Sequence, residues 1–176
     1  RLAASIDHPH CVFVFGAGEV DGRPFIAMEL MQGTLAERVA AAGALPPASA
    51  VDTALQLIAG LEAAGRAGVL HRDVKPSNCF VDPGGTVKVG DFGIARGANS
   101  EGVTLSGEVL GSPKYMAPEH IEEGTLDRRA DLYSVGVLLY ELASGENPFQ
   151  RDGAAAVMTA HLKDVPARLS ERASEV

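Results

Sequence analysis

One octapeptide, His71-Arg72-Asp73-Val74-Lys75-Pro76-Ser77-Asn78, limits what this chain can fold into more than any other stretch. It places an aspartate, a lysine and an asparagine at i, i+2 and i+5 of one loop. Two short apolar runs follow, Cys79-Phe80-Val81 and Thr86-Val87-Lys88-Val89, separated by Asp82-Pro83-Gly84-Gly85. Strand-forming residues on either side of a Pro-Gly turn read as a small hairpin. Asn78 and Asp91 therefore lie on the two strands of one hairpin region. Asp91-Phe92-Gly93 begins thirteen residues after Asn78, and Ala117-Pro118-Glu119 comes later again.

The rest of the chain changes character around residues 29–33. Before it, residues 11–15 and 25–28 read as strands, with Asp21-Gly22 as a hairpin turn between them. Residues 2–6 resemble the tail of a helix stopped by His8-Pro9. After Gly33 the pattern becomes helical. Thr34 is the N-cap of a short helix over 34–42. A longer helix follows Pro46-Pro47, since proline is tolerated in a first turn. Its apolar positions are Val51, Ala54, Leu55, Ile58 and Leu61, and Gly65 and Gly68 end it. Residues 94–116 lack periodicity and read as a long loop, a length usually reserved for function or disorder. The spacing predicts a helix over 131–144, apolar on nearly every face and hence buried. A last helix covers 154–162, and the tail from Pro166 is polar.

Bulk properties exclude several classes. The 176 residues suffice for one domain with a sizeable core. A hydrophobic content of 46% with 22% charged residues is that of an ordinary globular protein. The net charge of −8 argues against a nucleic-acid partner, which wants clustered Lys and Arg. Cys11 and Cys79 make no disulfide framework, so a reducing cytosol is expected and both are read as small buried residues. No apolar run approaches the ~20 residues of a membrane span. The five histidines, His8, His10, His71, His120 and His161, show no metal-ligand spacing.

The octapeptide, Asp91-Phe92-Gly93 and Ala117-Pro118-Glu119, in that order and at those intervals, resemble the signature set of protein kinases. Phosphoryl transfer needs this set of groups: a carboxylate facing the attacking hydroxyl, a cation beside the phosphate, and an amide oxygen for a metal. Asp73 is the candidate base, orienting the hydroxyl and collecting its proton. Lys75 supplies the cation. Asn78 and Asp91 are hard oxygen donors suited to Mg²⁺, with Mn²⁺ as a substitute, bridging ATP phosphates. An aspartate in a polar turn and a solvated lysine are the plain alternatives, and the fixed offsets argue against them. Asp-x-Lys-x-x-Asn resembles kinases that act on serine and threonine.

The resemblance implies further roles. Glu29-Leu30-Met31 matches the hinge, with Met28 as gatekeeper; the backbone C=O of Glu29 and the N–H and C=O of Met31 would bond adenine. Arg72 would pair with a phosphorylated activation-loop residue, for which Thr104 and Ser106 are candidates; they are otherwise ordinary loop hydroxyls. Ser112 would contact Asp73 and Lys75. His71 is a core histidine stacked under Phe92, with Gly93 as the permissive residue of a hinged loop. Asp131 is the buried aspartate that caps the catalytic-loop backbone, and Glu119 would pair with an arginine nearer the domain's C-terminus.

The fold so implied is α+β, a two-lobe protein kinase fold in truncated form. Residues 1–28 would be the end of the small β-rich lobe, 29–33 the hinge, and 34–176 most of the helical large lobe without its terminal helices. The family's glycine-rich phosphate loop, strand lysine and helix glutamate have no counterpart in these residues. Gly16-Ala17-Gly18 reads as a strand-end turn. The 176 residues alone are thus expected to be inactive, as a fragment of a regulated serine/threonine kinase whose partners are ATP, protein substrates and a second copy for trans-autophosphorylation. The kinase domain would be cytoplasmic, and membrane tethering would need a segment outside the sequence. Two other readings stay open: a pseudokinase serving as an interaction or ATP-sensing module, and a small-molecule kinase of the same fold. Intact Asp73, Lys75, Asn78 and Asp91 argue against the first. The Ala117-Pro118-Glu119 segment, shaping a peptide shelf, disfavours the second.

Overall fold

The computed structural model describes residues 6–92 and 113–172. Two small antiparallel sheets precede and interleave with the helices. Strand β1 (Val14–Val20) pairs with β2 (Arg23–Met28) in the register Val20↔Arg23 to Val14↔Met28, with an irregularity between Val14 and Gly16. Their turn is Asp21-Gly22, both at positive φ (52° and 74°), the twist that suits a two-residue hairpin. The first strand is not the predicted 11–15. Val12 N–H donates to Val89 O at 2.8 Å and Val89 N–H to His10 O at 2.9 Å. The apolar run therefore divides, its start pairing with a second sheet and its end entering β1. Gly16 and Gly18 lie within β1 rather than ending it.

The second sheet has the order β3 (Gly33–Thr34), β4 (Cys79–Val81), β5 (Val87–Val89). Asp82 closes the β4–β5 turn, its Oδ1 accepting from Gly84 N–H at 2.8 Å and Thr86 N–H at 2.9 Å. Helix α1 (Leu35–Ala42) starts at a capping box: Thr34 Oγ1 accepts from Glu37 N–H, and Glu37 accepts from Thr34 N–H at 2.7 Å. Helix α2 (Pro47–Arg66) opens on proline at its first position. Its buried side runs through Ala50, Ala54, Leu57, Leu61 and Ala64. Val51 and Leu55, two of the residues expected on that face, are exposed at 50% and 59%. The apolar residues are spread over more than one face, and the small ones mark the side where neighbours come close. Gly65 lies inside the helix, which ends before Gly68 at φ 76°.

Residues 113–116 are not irregular: Pro113–Tyr115 forms one 3₁₀ turn, followed by the short helix α3 (Pro118–Ile121). Helix α4 (Arg128–Ser144) begins three residues before the predicted start, because Asp127 caps it by accepting from Arg129 N–H at 2.8 Å. Gly145, left-handed at φ 78°, ends it. Leu138 and Leu142 are fully buried, whereas Leu132 faces solvent. Helix α5 (Ala154–Lys163) and a 3₁₀ turn at Leu169–Glu171 complete the described residues. None of their helices is long and apolar enough to cross a membrane.

The core gathers Leu35, Leu57, Val74, Cys79, Val81, Val87, Val89, Leu138, Leu142 and Phe149. Gly60 lets α2 approach the segment before β1 so closely that a Cβ there would sit 2.3 Å from His10 O. Cys11 Sγ donates to Gly60 O at 3.3 Å across the same contact. On the far side, His161 of α5 is 5% exposed. Its Nδ1 meets Tyr133 Oη at 2.8 Å, its ring packs 4.3 Å from Phe149, and its Nε2 has no partner. Burial holds this imidazole below its ordinary value, against weaker raising contributions from the Lys114 and Pro113 backbone.

Two outcomes follow for the complete protein. Gly60→Ala lowers stability by about 1–3 kcal/mol through overpacking, although alanine gains ~1 kcal/mol in an open helix; a raised urea midpoint would show that the His10 segment gives way. His161 resists protonation when folded, while the unfolded chain takes up that proton near pH ~6.5. Its contribution is therefore complete above that pH and is lost as pH falls below it. The urea midpoint of the parent should drop more steeply than that of His161→Gln between about pH 7 and 5. Parallel slopes would remove His161 from the account.

Candidate active site

The loop between α2 and β4 is built on a buried carboxylate. Asp131, 5% exposed, accepts from His71 N–H through Oδ2 at 3.0 Å and from Arg72 N–H through Oδ1 at 2.8 Å. These bonds hold Arg72 at φ 67°, an uncommon conformation for a side chain of that size. His71 is 1% exposed and acts as a second brace. Its Nδ1 accepts from Asp73 N–H at 3.2 Å, so Nε2 carries the proton and donates to Gly90 O at 2.8 Å. Its ring lies 5.0 Å from that of Phe92. One side chain thus ties the residue before Asp91 to the backbone of Asp73.

The described bonds to the Asp73 carboxylate fall on one oxygen. Lys75 Nζ donates to Oδ2 at 2.7 Å, and Asn78 Nδ2 donates to Oδ2 at 3.2 Å and to Asp73 O at 2.9 Å. Oδ1 carries none of these bonds. Lys75 and Asp73 are partly exposed, at 22% and 36% of their side chains, so the pair is accessible to a reactant. Asn78 is buried at 8%, and with its amide nitrogen engaged, Oδ1 is the atom left for a cation. Gly90 N–H donates to Asn78 O at 3.0 Å, which sets Asp91 beside Asn78 across the β4–β5 hairpin. Asp91 is exposed, at φ 59°, and its carboxylate has no partner among the described residues. One amide oxygen and one carboxylate form an incomplete hard-oxygen set, the kind that suits Mg²⁺ sharing its coordination with phosphates and water. Among the described residues no cluster of three His, Cys, Asp or Glu forms a self-contained metal cage.

Residues 29–32 run along the same sheet. Glu29 N–H donates to Phe13 O at 3.0 Å, and Gln32 N–H to Val81 O at 2.8 Å. Between them no described bond uses Glu29 C=O or the N–H and C=O of Met31, the three groups expected to meet adenine. The Glu29 side chain, uninformative in the sequence, holds Phe13 N–H at 2.8 Å and Lys88 Nζ at 2.7 Å. Neither contact is local in sequence, and no motif signalled Lys88.

The segment at 113–119 is anchored from below. Ser134 Oγ donates to Tyr115 O at 2.6 Å, Asn147 Nδ2 to Lys114 O at 3.2 Å, and Tyr115 Oη to the Glu141 carboxylate. Burial, first, and the Glu141 carboxylate, second, push the Tyr115 phenol well above its ordinary value, so it stays a neutral donor. Glu119 lies in the first turn of α3 and makes no ion pair within 4 Å among the described residues. Both cysteines are buried and free, their thiols raised by desolvation to about 11 for Cys11 and about 12 for Cys79, which leaves neither as a thiolate nucleophile. Gly93, Thr104, Ser106 and Ser112 lie outside the described residues.

Comparison with known proteins places the chain among named kinases by similarity. The chain is 40% identical over 168 residues to the serine/threonine-protein kinase PknL of Mycobacterium tuberculosis, covering 94% of this chain and 42% of PknL. It is 37% identical over 164 residues to the serine/threonine-protein kinase PrkC of Bacillus subtilis, covering 93% of this chain and 25% of PrkC. With the serine/threonine-protein kinase PknB of Mycobacterium leprae it shares 38% identity over 176 residues, 97% of this chain and 28% of PknB. The chain thus spans less than half the length of each of these relatives. The family model described as protein kinase domain matches residues 1–174, and the chain belongs to that family.

Proposed function

We propose that the complete protein is a serine/threonine protein kinase, moving the γ-phosphoryl group of ATP to hydroxyls of protein substrates. The observation that carries this reading is the Asp73–Lys75–Asn78 constellation, with its carboxylate tethered through one oxygen. Lys75 fixes that oxygen and keeps a cation beside the site of transfer. The other oxygen orients the substrate hydroxyl and takes its proton as the bond to phosphorus forms. Asn78 and Asp91 would hold Mg²⁺, which when bound neutralises charge on the ATP phosphates. The backbone of Glu29 and Met31 takes adenine. The serine/threonine class is supported by the Asp-x-Lys-x-x-Asn spacing and by the printed names of PknL, PrkC and PknB.

Regulation belongs to the same reading. Arg72 is exposed and held in a fixed backbone conformation by Asp131, a suitable platform for a phosphorylated Thr104 or Ser106. A second copy would supply that phosphate in trans. Two unpaired, buried cysteines support a cytoplasmic placement of the domain, and a tether to a membrane would need a segment other than the described helices.

In the complete protein, Asp73→Asn should cut phosphate transfer to a generic protein substrate roughly 10²–10⁴-fold, the range for a lost general base. ATP affinity should stay close to the parent's, since Asp73 faces the hydroxyl. Transfer at the parent rate would refute the assignment, and transfer to small hydroxyl compounds alone would favour a small-molecule kinase. Arg72→Ala and the pair Thr104→Ala/Ser106→Ala should each lower activity, and all three together should be no worse than either alone, because they remove one interaction. Additive losses would separate Arg72 from those hydroxyls.

A further inference from the structure

The middle residue of β5 is out of character for its strand. Val87 and Val89 are 2% and 0% exposed and face the core. Side chains alternate along a strand, so Lys88 points to the other face. A lysine there would ordinarily reach into water, but its side chain is only 14% exposed. Its ammonium ends on both oxygens of Glu29, at 2.9 Å and 2.7 Å, 59 residues away in sequence. The Glu29 carboxylate also accepts from Phe13 N–H at 2.8 Å and is itself only 25% exposed.

We propose that Lys88 is a positioning residue for nucleotide binding, a strut that sets the adenine-facing backbone of residues 29–31 against the strand leading to Asp91. Two geometric facts support it. First, Glu29 is anchored on two counts, through its backbone N–H to Phe13 O at 3.0 Å and through its side chain. With the carboxylate drawn onto Lys88, the C=O of Glu29 remains the free group of that residue. Second, Lys88 is the middle residue of the paired strand β5, with Phe80 opposite it, and that strand ends two residues before Asp91. The ammonium therefore connects the end of the site that would take the base with the end that would take metal and phosphates. Gln32 N–H on Val81 O at 2.8 Å fixes the far end of the segment to β4. Without the strut, residues 29–31 are held, among the described bonds, only by the Glu29–Phe13 contacts at one end and by Gln32 N–H on Val81 O at the other. A partly buried ion pair with good geometry is screened less than one in open water, so its loss should be felt.

This inference rests on the kinase reading for its ligand but not for its measurement. In the complete protein, Lys88→Met should weaken binding of adenosine and of ATP roughly tenfold by calorimetry, well below the melting temperature. KM for ATP should rise with it, while kcat at saturating ATP changes less than roughly threefold, the signature of lost uniform binding. Glu29→Gln should do the same, the double variant Glu29→Gln/Lys88→Met should be no worse than either single one, and Lys88→Arg should retain most of the affinity. Parent-like adenosine affinity in a Lys88→Met protein that merely melts earlier would reduce the pair to a stability element and overturn the proposal. So would additive losses in the double variant, or no adenosine binding by the parent. Adenosine binding without any phosphate transfer would instead overturn the kinase reading and leave the strut standing.

Discussion

A single buried carboxylate carries this structure. Asp131 sits at the start of a long apolar helix and would be costly there if unpaired. It is stable because it takes the two backbone N–H groups of residues 71 and 72. The positive φ of Arg72, the aim of the Asp73 side chain and the tilted packing of His71 against Phe92, at 55° rather than stacked, follow from that anchor. The arrangement is a charge satisfied by backbone rather than by a counter-ion. It therefore orients a loop without adding a positive group beside it.

From that anchor outward the site is a set of cross-links between segments remote in sequence. His71 joins the loop to the strand end at Gly90. Asn78 joins the loop's end to its beginning. Lys88 joins the strand to residue 29. Below, Ser134, Glu141 and Asn147 hold the 113–115 turn. The rigid hydrophobic core supplies the platform, and the polar cross-links choose the geometry on it. This division of labour lets a site be exact while its outer residues remain open to reactants.

Much of this was legible in the chain. Thr34 announced a helix start, and Asp21-Gly22 announced a hairpin, because both depend on contacts within four residues. The residues from His71 to Asn78, and Asp91, stood out in the chain by their offsets, and the structure brings Asp73, Lys75 and Asn78 together. The failures have a common cause. Residues 11–15 looked like one strand, yet two different partners compete for the run, and which one wins depends on β5, more than 70 residues on. The buried face of α2 was misjudged because Val51 and Leu55 outweigh Ala50, Gly60 and Ala64 in hydrophobicity, whereas close approach selects the small residues. Lys88 and His161 escaped notice because an ion pair over 59 residues and a Tyr–His contact over 28 leave no periodicity behind.

The double engagement of Asn78 has a consequence for which residue types the site can accept. Its nitrogen donates to Asp73 while its oxygen is left for a cation, so a single planar amide serves as donor on one edge and acceptor on the other. An aspartate of the same shape would bind a divalent cation at least as well. It would also turn an oxygen toward the Asp73 carboxylate and main-chain oxygen, replacing two hydrogen bonds by repulsion between like charges. The Asp73 side chain would then lose one of the two contacts that aim it. An amide at this position thus offers a donor on one edge and an acceptor on the other, which a carboxylate of the same shape does not.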